Sequence, residues 1–175
     1  MAIHPDRENG SMRKPRRAYE AGHRAKFLAI VDETPECDRA LYFAARRAVR
    51  TGVSLVLLCI KPEVEQQAWL GVGEVMRAEA EEEAAAALDR AAAYVRGIVG
   101  LEPECALRIG AMADELVRFI EEEEDIALLV LAAGTGNEGP GPLVTALVGR
   151  TIANFPVPVA IVPGHLGDED IDALA

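Results

Sequence analysis

The chain has 175 residues, half of them apolar, and a formal charge of −11. That length suits one domain with a full core that needs no disulfide or metal staples, and the apolar content excludes general disorder. No apolar run is long enough to span a membrane, and so acidic a body repels nucleic-acid phosphates and anionic lipid surfaces.

Residues 1 to about 25 lack apolar periodicity and read as a flexible, solvated basic arm. Met1–Arg24 carries six Lys or Arg against three acids, a local +3 that leaves −14 on the rest. No apolar segment follows its basic residues, so secretion is not indicated, and Met12 offers an alternative start that would leave residues 1–11 untranslated. Lys26–Asp32, KFLAIVD, is a short apolar run ending in an acid, which suits a buried parallel strand. Thr34 and Pro35 then read as the N-cap and first position of a helix, because the hydroxyl accepts an orphan amide and proline lacks one. Leu41, Ala44, Ala45 and Ala48 recur at helical spacing, and Gly52 supplies the stop.

Val53–Ile60, VSLVLLCI, is apolar on both faces and predicts a central strand that Lys61-Pro62 ends. Glu63–Gly73 is a connection holding Trp69, the only tryptophan. Glu74–Val99 is rich in strong helix formers and Gly100 closes it. Its acids Glu79, Glu81, Glu82 and Glu83 read as a solvated face rather than a metal site, since adjacent helical residues diverge and no His joins them. Cys105–Ile109 predicts a short third strand, with Gly110 as a turn. Ala113–Glu123 repeats the amphipathic pattern, with Leu116, Val117 and Ile120 inward. Ile126–Ala132 is a fourth strand, Leu143–Asn154 a fourth helix and Val159–Val162 a fifth strand. The acidic tail from Gly164 to Ala175 is expected to fray.

The order βαβαβαβαβ, with short apolar strands, predicts an α/β fold: a parallel sheet covered by helices on both faces. Ligands in such sheets bind beyond the C-terminal strand ends, where the strand order reverses. That places Asp32 beside the loop holding Gly134, Gly136, Gly139 and Gly141. A carboxylate there accepts ribose hydroxyls while loop amides face phosphate; the alternative is that Asp32 only caps the next helix. The loop has glycines but no Lys, Arg or Ser to pair with a phosphate. Cys37, Cys59 and Cys105 form no C-x-x-C pair and read as reduced thiols of a cytoplasmic protein. Ser11 lies in the arm and Ser54 inside a strand, no G-x-S-x-G elbow exists, and His4, His23 and His165 fall outside the core elements. Neither a nucleophile with its base nor a metal cluster is supported.

FLAIVDETPECDRALYFAARRA, LVLLCI, the glycine loop and FPVPVAIV together resemble the universal stress protein family over roughly Lys26–Gly164. In that family a first strand ends in Asp, and the last helix runs into a Pro-x-Pro-Val strand, here Pro156-Val-Pro158-Val. The resemblance implies a five-stranded parallel sheet of order 3-2-1-4-5, the adenine-nucleotide alpha-hydrolase-like arrangement, and a homodimer. Pairing would run through the last strand, Val159–Val162, an apolar edge that needs a partner. Some members of the family bind ATP through Gly-x2-Gly-x9-Gly followed by Ser or Thr. Counting glycines places that pattern on Gly136, Gly139 and Gly149, with Arg150 where the hydroxyl belongs. Aligning without gaps from Ala132 to Pro156 places it on Ala132, Thr135, Thr145 and Ala146. The second frame keeps strand end, helix length and Pro-Val-Pro strand together, and in it every motif glycine and the terminal hydroxyl are lost.

The expected function is therefore that of a noncatalytic cytoplasmic stress-response protein. It would act as a homodimer through an unknown protein partner, without nucleic acid, membrane or metal. The alternative is an ATP- or AMP-binding protein whose nucleotide state regulates that partner. The candidate nucleotide-binding residues are Asp32, Gly134, Thr135, Gly136 and Thr145. No catalytic residue is expected, and any ATP hydrolysis would rest on Asp32 near a phosphate.

Overall fold

A computed structural model describes residues 15–63, 72–135, 141–146 and 155–175. Their elements run β1 (Lys26–Ile30), α1 (Cys37–Thr51), β2 (Ser54–Lys61), α2 (Val72–Val99), β3 (Glu104–Ile109), α3 (Met112–Glu122), β4 (Ile126–Ala133), α4 (Pro142–Ala146), β5 (Val159–Pro163) and α5 (Asp168–Leu174). The five strands form one parallel sheet of order β3-β2-β1-β4-β5, as the resemblance implies. Trp69 and most of the expected connection lie outside the described residues, as does the fourth helix from residue 147 to Asn154.

Each strand divides its side chains between two cores with the period of two that a pleated strand imposes. Phe27, Ala29, Leu55, Leu57, Cys59 and Val130 face α1, α2 and α5. Leu28, Ile30, Val56, Leu58, Leu129 and Leu131 face α3 and α4. Leu28, Leu57, Leu129 and Val130 are fully buried and Ile30 nearly so, as expected of central strands. Burial of each such leucine is worth roughly 2–3 kcal/mol relative to exposure. On α1, Ala40, Ala44, Ala45 and Ala48 are all fully buried, and their small size lets the helix lie close to the sheet. Gly52 closes α1 at φ +70. On α3 the inward stripe is Leu116, Phe119 and Ile120, while Val117, expected there, is only half-buried. The spacing i, i+3, i+4 selects the first three.

The pairing of β1 with β4 slips by one residue: Lys26 sits opposite Ile126, but Phe27 opposite Leu128. Ala127 is therefore an extra residue, a bulge that reverses the alternation downstream. Ile126 consequently shares its face with Leu129 and Leu131 rather than with Leu128 and Val130.

Both chain ends depart from expectation within the described residues. Residues 15–25, expected to belong to a free arm, lie against the domain. Ala18 and Ala25 are buried, Arg16 donates to the carbonyls of Ile120 and Glu123 at the end of α3, and His23 Nδ1 meets Asp125 at 2.6 Å. The tail, expected to fray, folds as α5. Ile171 is fully buried, Arg39 pairs with Asp168 at 2.5 Å and Arg46 with Asp172 at 2.9 Å.

Candidate functional site

The order β3-β2-β1-β4-β5 means the chain builds outward from β1 in one direction, then crosses over and builds in the other. The reversal falls between β1 and β4, whose residues Ala29 and Val130 are register partners. In sheets of this order the loops leaving such strand ends part at the reversal, which is where a crevice is expected. The segments after β1 and β4 hold Asp32, Gly134 and Thr135, so these three candidates stand at adjoining strand ends.

Asp32 is exposed and already employed. Its Oδ1 accepts the Thr34 amide at 3.0 Å and the Thr34 hydroxyl at 2.6 Å. The expected N-cap at Thr34 is thus corrected. Its side chain turns back to Asp32, the Thr34 carbonyl accepts the Cys37 amide, and α1 begins two residues beyond Pro35. The actual N-cap, Glu36, has helical dihedrals (φ −81, ψ −13) and offers no side-chain cap. Asp and Thr two apart favour such a local turn because the short side chain reaches the amide without helix geometry.

On the other side of the crevice Gly134 is half-buried and Thr135 exposed, while Gly136 lies outside the described residues. Gly141 has φ +97, the left-handed region that favours glycine, and Pro142 opens α4. Proline leaves that first helical position without an amide for an anion. Thr145 is exposed, and both its amide and its hydroxyl donate to the Gly141 carbonyl, at 3.0 and 2.8 Å. The fold ties the rim together at Gly164, whose amide donates to Ala133 O at 2.9 Å. A Cβ at Gly164 would come within 2.3 Å of Glu36 Cγ and 3.2 Å of Ala133 O, so only glycine fits there without movement.

The structure adds two residues to this rim. Lys61, at the end of β2, bonds Glu33 at 2.7 Å, and each raises the other's preference for its charged form: the lysine pKa moves up and the carboxylate's down. The sequence shows Lys61 only as the residue that ends an apolar run, because its partner is 28 positions away.

Below the rim, Cys37 and Cys59 are buried and Cys105 is exposed. Burial pushes the Cys37 thiol up to about 12, so its thiolate is scarce at neutral pH. Cys105 should therefore react first with a soluble disulfide reagent, and Cys37 and Cys59 only on unfolding. Rapid labelling of three thiols per native chain would contradict this placement. Among the described residues no group of His, Cys, Asp and Glu could hold a metal ion, and no helix is long and apolar enough to cross a membrane.

Comparison with known proteins gives this geometry its context. No curated protein matches the chain. Among solved structures, the universal stress protein UspA from Lactobacillus plantarum is similar with a TM-score of 0.64 at 17% identity, over 79% of this chain and 97% of that one. A universal stress protein in complex with cAMP is similar at TM-score 0.57 and 21% identity, covering 79% and 97% of the two chains. One from Archaeoglobus fulgidus in complex with dAMP gives 0.53 and 21%, again over 79% and 97%. Identities this low show the shared fold alone. The family profile reaches further, matching residues 23–163 from the approach to β1 through the last residue of β5, so the chain belongs to the universal stress protein family.

Proposed function

We propose that this chain is a noncatalytic, cytoplasmic stress-response protein that works as a homodimer through a protein partner. Its nucleotide loop is too poor in donors to hold ATP tightly. The observation that carries this reading is the commitment of Thr145, in α4, to the protein itself. The Thr145 hydroxyl gives its proton to Gly141 O, and Pro142 has no amide to give. A phosphate at this loop would meet neither a cation nor a free hydroxyl from these positions. ATP affinity should then be near millimolar, about −4 kcal/mol, rather than micromolar, about −8. Titration of the purified protein checks this, and micromolar ATP binding would refute it.

A second reading, that nucleotide state regulates the partner, is favoured by Asp32 at the reversal of strand order. It is supported by the dAMP and cAMP complexes of the two similar structures. Nucleotide copurifying with the protein, identified by mass after denaturation, would favour it.

The homodimer is supported by the free edge of β5. Leu129 donates to Pro158 O and Gly164 to Ala133 O, so the backbone of even-numbered residues from Pro158 to Gly164 faces β4. Val159, Ile161 and Pro163 therefore direct theirs outward. Ile161 is 41% exposed. An antiparallel twofold pairing centred on Ile161 would set Val159 opposite Pro163 of the mate, and Pro163 has no amide with which to extend the ladder. A closed pair rather than open growth follows. Light scattering should give twice the 18.8 kDa chain mass, and Ile161→Lys should give the monomer. A monomeric wild-type protein at micromolar concentration would overturn this assignment.

A further inference from the structure

We propose that the face of α1 lined by Arg39, Tyr42, Arg46 and Arg50 docks an acidic amphipathic helix of a protein partner, and that α5 is the chain's own competitor for that face. The inference rests on the partner-binding reading above and adds to it the docking surface and the chemistry of the partner.

The helix repeat builds the surface. Arg39, Arg46 and Arg50 stand at i, i+7 and i+11, within about 40° of one another around α1, with Tyr42 beside them. The guanidinium carbons of Arg39 and Arg46 lie 5.6 and 5.2 Å from the centre of the Tyr42 ring, which holds the two cations side by side. Asp38 is the only acid on α1, in a chain whose formal charge is −11. An arginine stripe set around a tyrosine has the composition of an interface anchor, and its charge selects an acidic partner.

The occupant already in place shows which chemistry fits. α5 runs parallel to α1 and meets it at three levels. Asp168 pairs with Arg39 at 2.5 Å, and Asp172 lies against Arg46. Arg50 donates to the carbonyls of Asp172 and Ala175, groups that the end of a helix leaves without partners. Ile171 and Ala175, each three positions after an acid, enter the core that α1 shares with the sheet. The face therefore takes a short helix with acids at i and i+4, apolar residues at i+3 and i+7, and its last turn at Arg50.

α5 meets these requirements incompletely, which makes it a competitor rather than a fixed part of the wall. Arg46 Nε and Asp172 Oδ1 are 2.9 Å apart, yet both atoms are buried and neither makes a hydrogen bond. The one bond between the two side chains is 3.4 Å long. A glutamate in the place of Asp172 has the added reach to take both guanidinium nitrogens. Val49, one turn from Arg46, stays exposed, and a helix longer than α5 can cover it. α5 also lies beyond the family match, which ends at residue 163, and hangs from β5 through Gly164 and Gly167. So short a tether holds it near the face at an effective concentration of about millimolar, so the face opens only to a helix that binds more tightly than α5 docks.

The test is binding of a fluorescent peptide of residues 164–175, and of its Asp172→Glu form, to the full chain. Ile171→Asp frees the face; Ile171→Ala takes its place should circular dichroism show that the first variant is unfolded. The freed chain should bind the peptide about tenfold more tightly than wild type does, because its own tail no longer competes. The Asp172→Glu peptide should bind more tightly again. Adding Arg46→Glu to the freed chain should weaken the peptide about tenfold, and Asp172→Lys in the peptide should recover that loss. Equal binding to the wild-type and freed chains, binding that Arg46→Glu leaves unchanged, or no binding to the freed chain at millimolar peptide overturns the proposal. Each of these results strikes the α1 face alone and leaves the partner reading standing, with its surface elsewhere.

Discussion

Asp32→Ala is expected to abolish measurable nucleotide binding, and Asp32→Asn to do the same while leaving the loop in place. The two variants separate roles that the structure combines in one side chain. Oδ1 holds the Thr34 amide and hydroxyl, which fixes the turn between β1 and α1. A ribose would draw on the carboxylate's remaining acceptor capacity and its charge, and bonds to a charged acceptor contribute about 1.5–3 kcal/mol. From a millimolar starting point, a loss of that size leaves nothing measurable. Alanine also removes the turn, at a cost of about 1 kcal/mol by analogy with the loss of a helix cap. Asparagine keeps an oxygen for Thr34 and should melt close to wild type. Calorimetric titration and thermal melts on both variants check this. Binding that survives Asp32→Ala would place the nucleotide elsewhere.

Ile171→Asp is expected to release α5 from the domain without melting the sheet. Ile171 is fully buried and Ala175 nearly so, while the surrounding ion pairs, Arg39–Asp168 and Arg46–Asp172, are partly exposed. Arg50 adds bonds to the carbonyls of Asp172 and Ala175. Exposed pairs contribute about 0–1 kcal/mol each, whereas burying one isoleucine contributes about 1.5–3, so the apolar side chain dominates the docking. Asp168→Ala should therefore loosen α5 far less than Ile171→Asp. Amide exchange and limited proteolysis of residues 164–175 report the release directly. The family match ends at residue 163, so the sheet and its other helices should keep their cooperative melt. Global unfolding of Ile171→Asp at room temperature would show instead that α5 belongs to the core.

What the sequence reveals about this fold follows the distance over which each signal acts. The strands Ser54–Lys61 and Ile126–Ala133 are legible because every residue in the run is apolar or nearly so, a local property. The strand order is not a local property, and it enters through the family resemblance. The docked ends are opaque for the same reason. Asp168 finds Arg39 across 129 positions, and Arg16 finds the end of α3 across more than 100. An acidic tail and a basic arm read alone give no sign of partners that remote. At the site, Asp32 and the glycine loop are legible by position at the strand ends. The role of Thr34 is not, because a threonine before proline suits a helix cap and a turn onto Asp32 equally well, and only the three-dimensional path of the chain chooses.

The extra residue at Ala127 carries a consequence for how this chain tolerates deletion. Removing it would put Ile126 and Leu129 two positions apart in an unbulged strand, the spacing that keeps both on one face. Lys26 would still stand opposite Ile126 and Phe27 opposite Leu128, so both cores and the height of Gly134 and Thr135 relative to Asp32 would be kept. The bulge is thus one residue of slack in β4, which the chain could lose without moving the site.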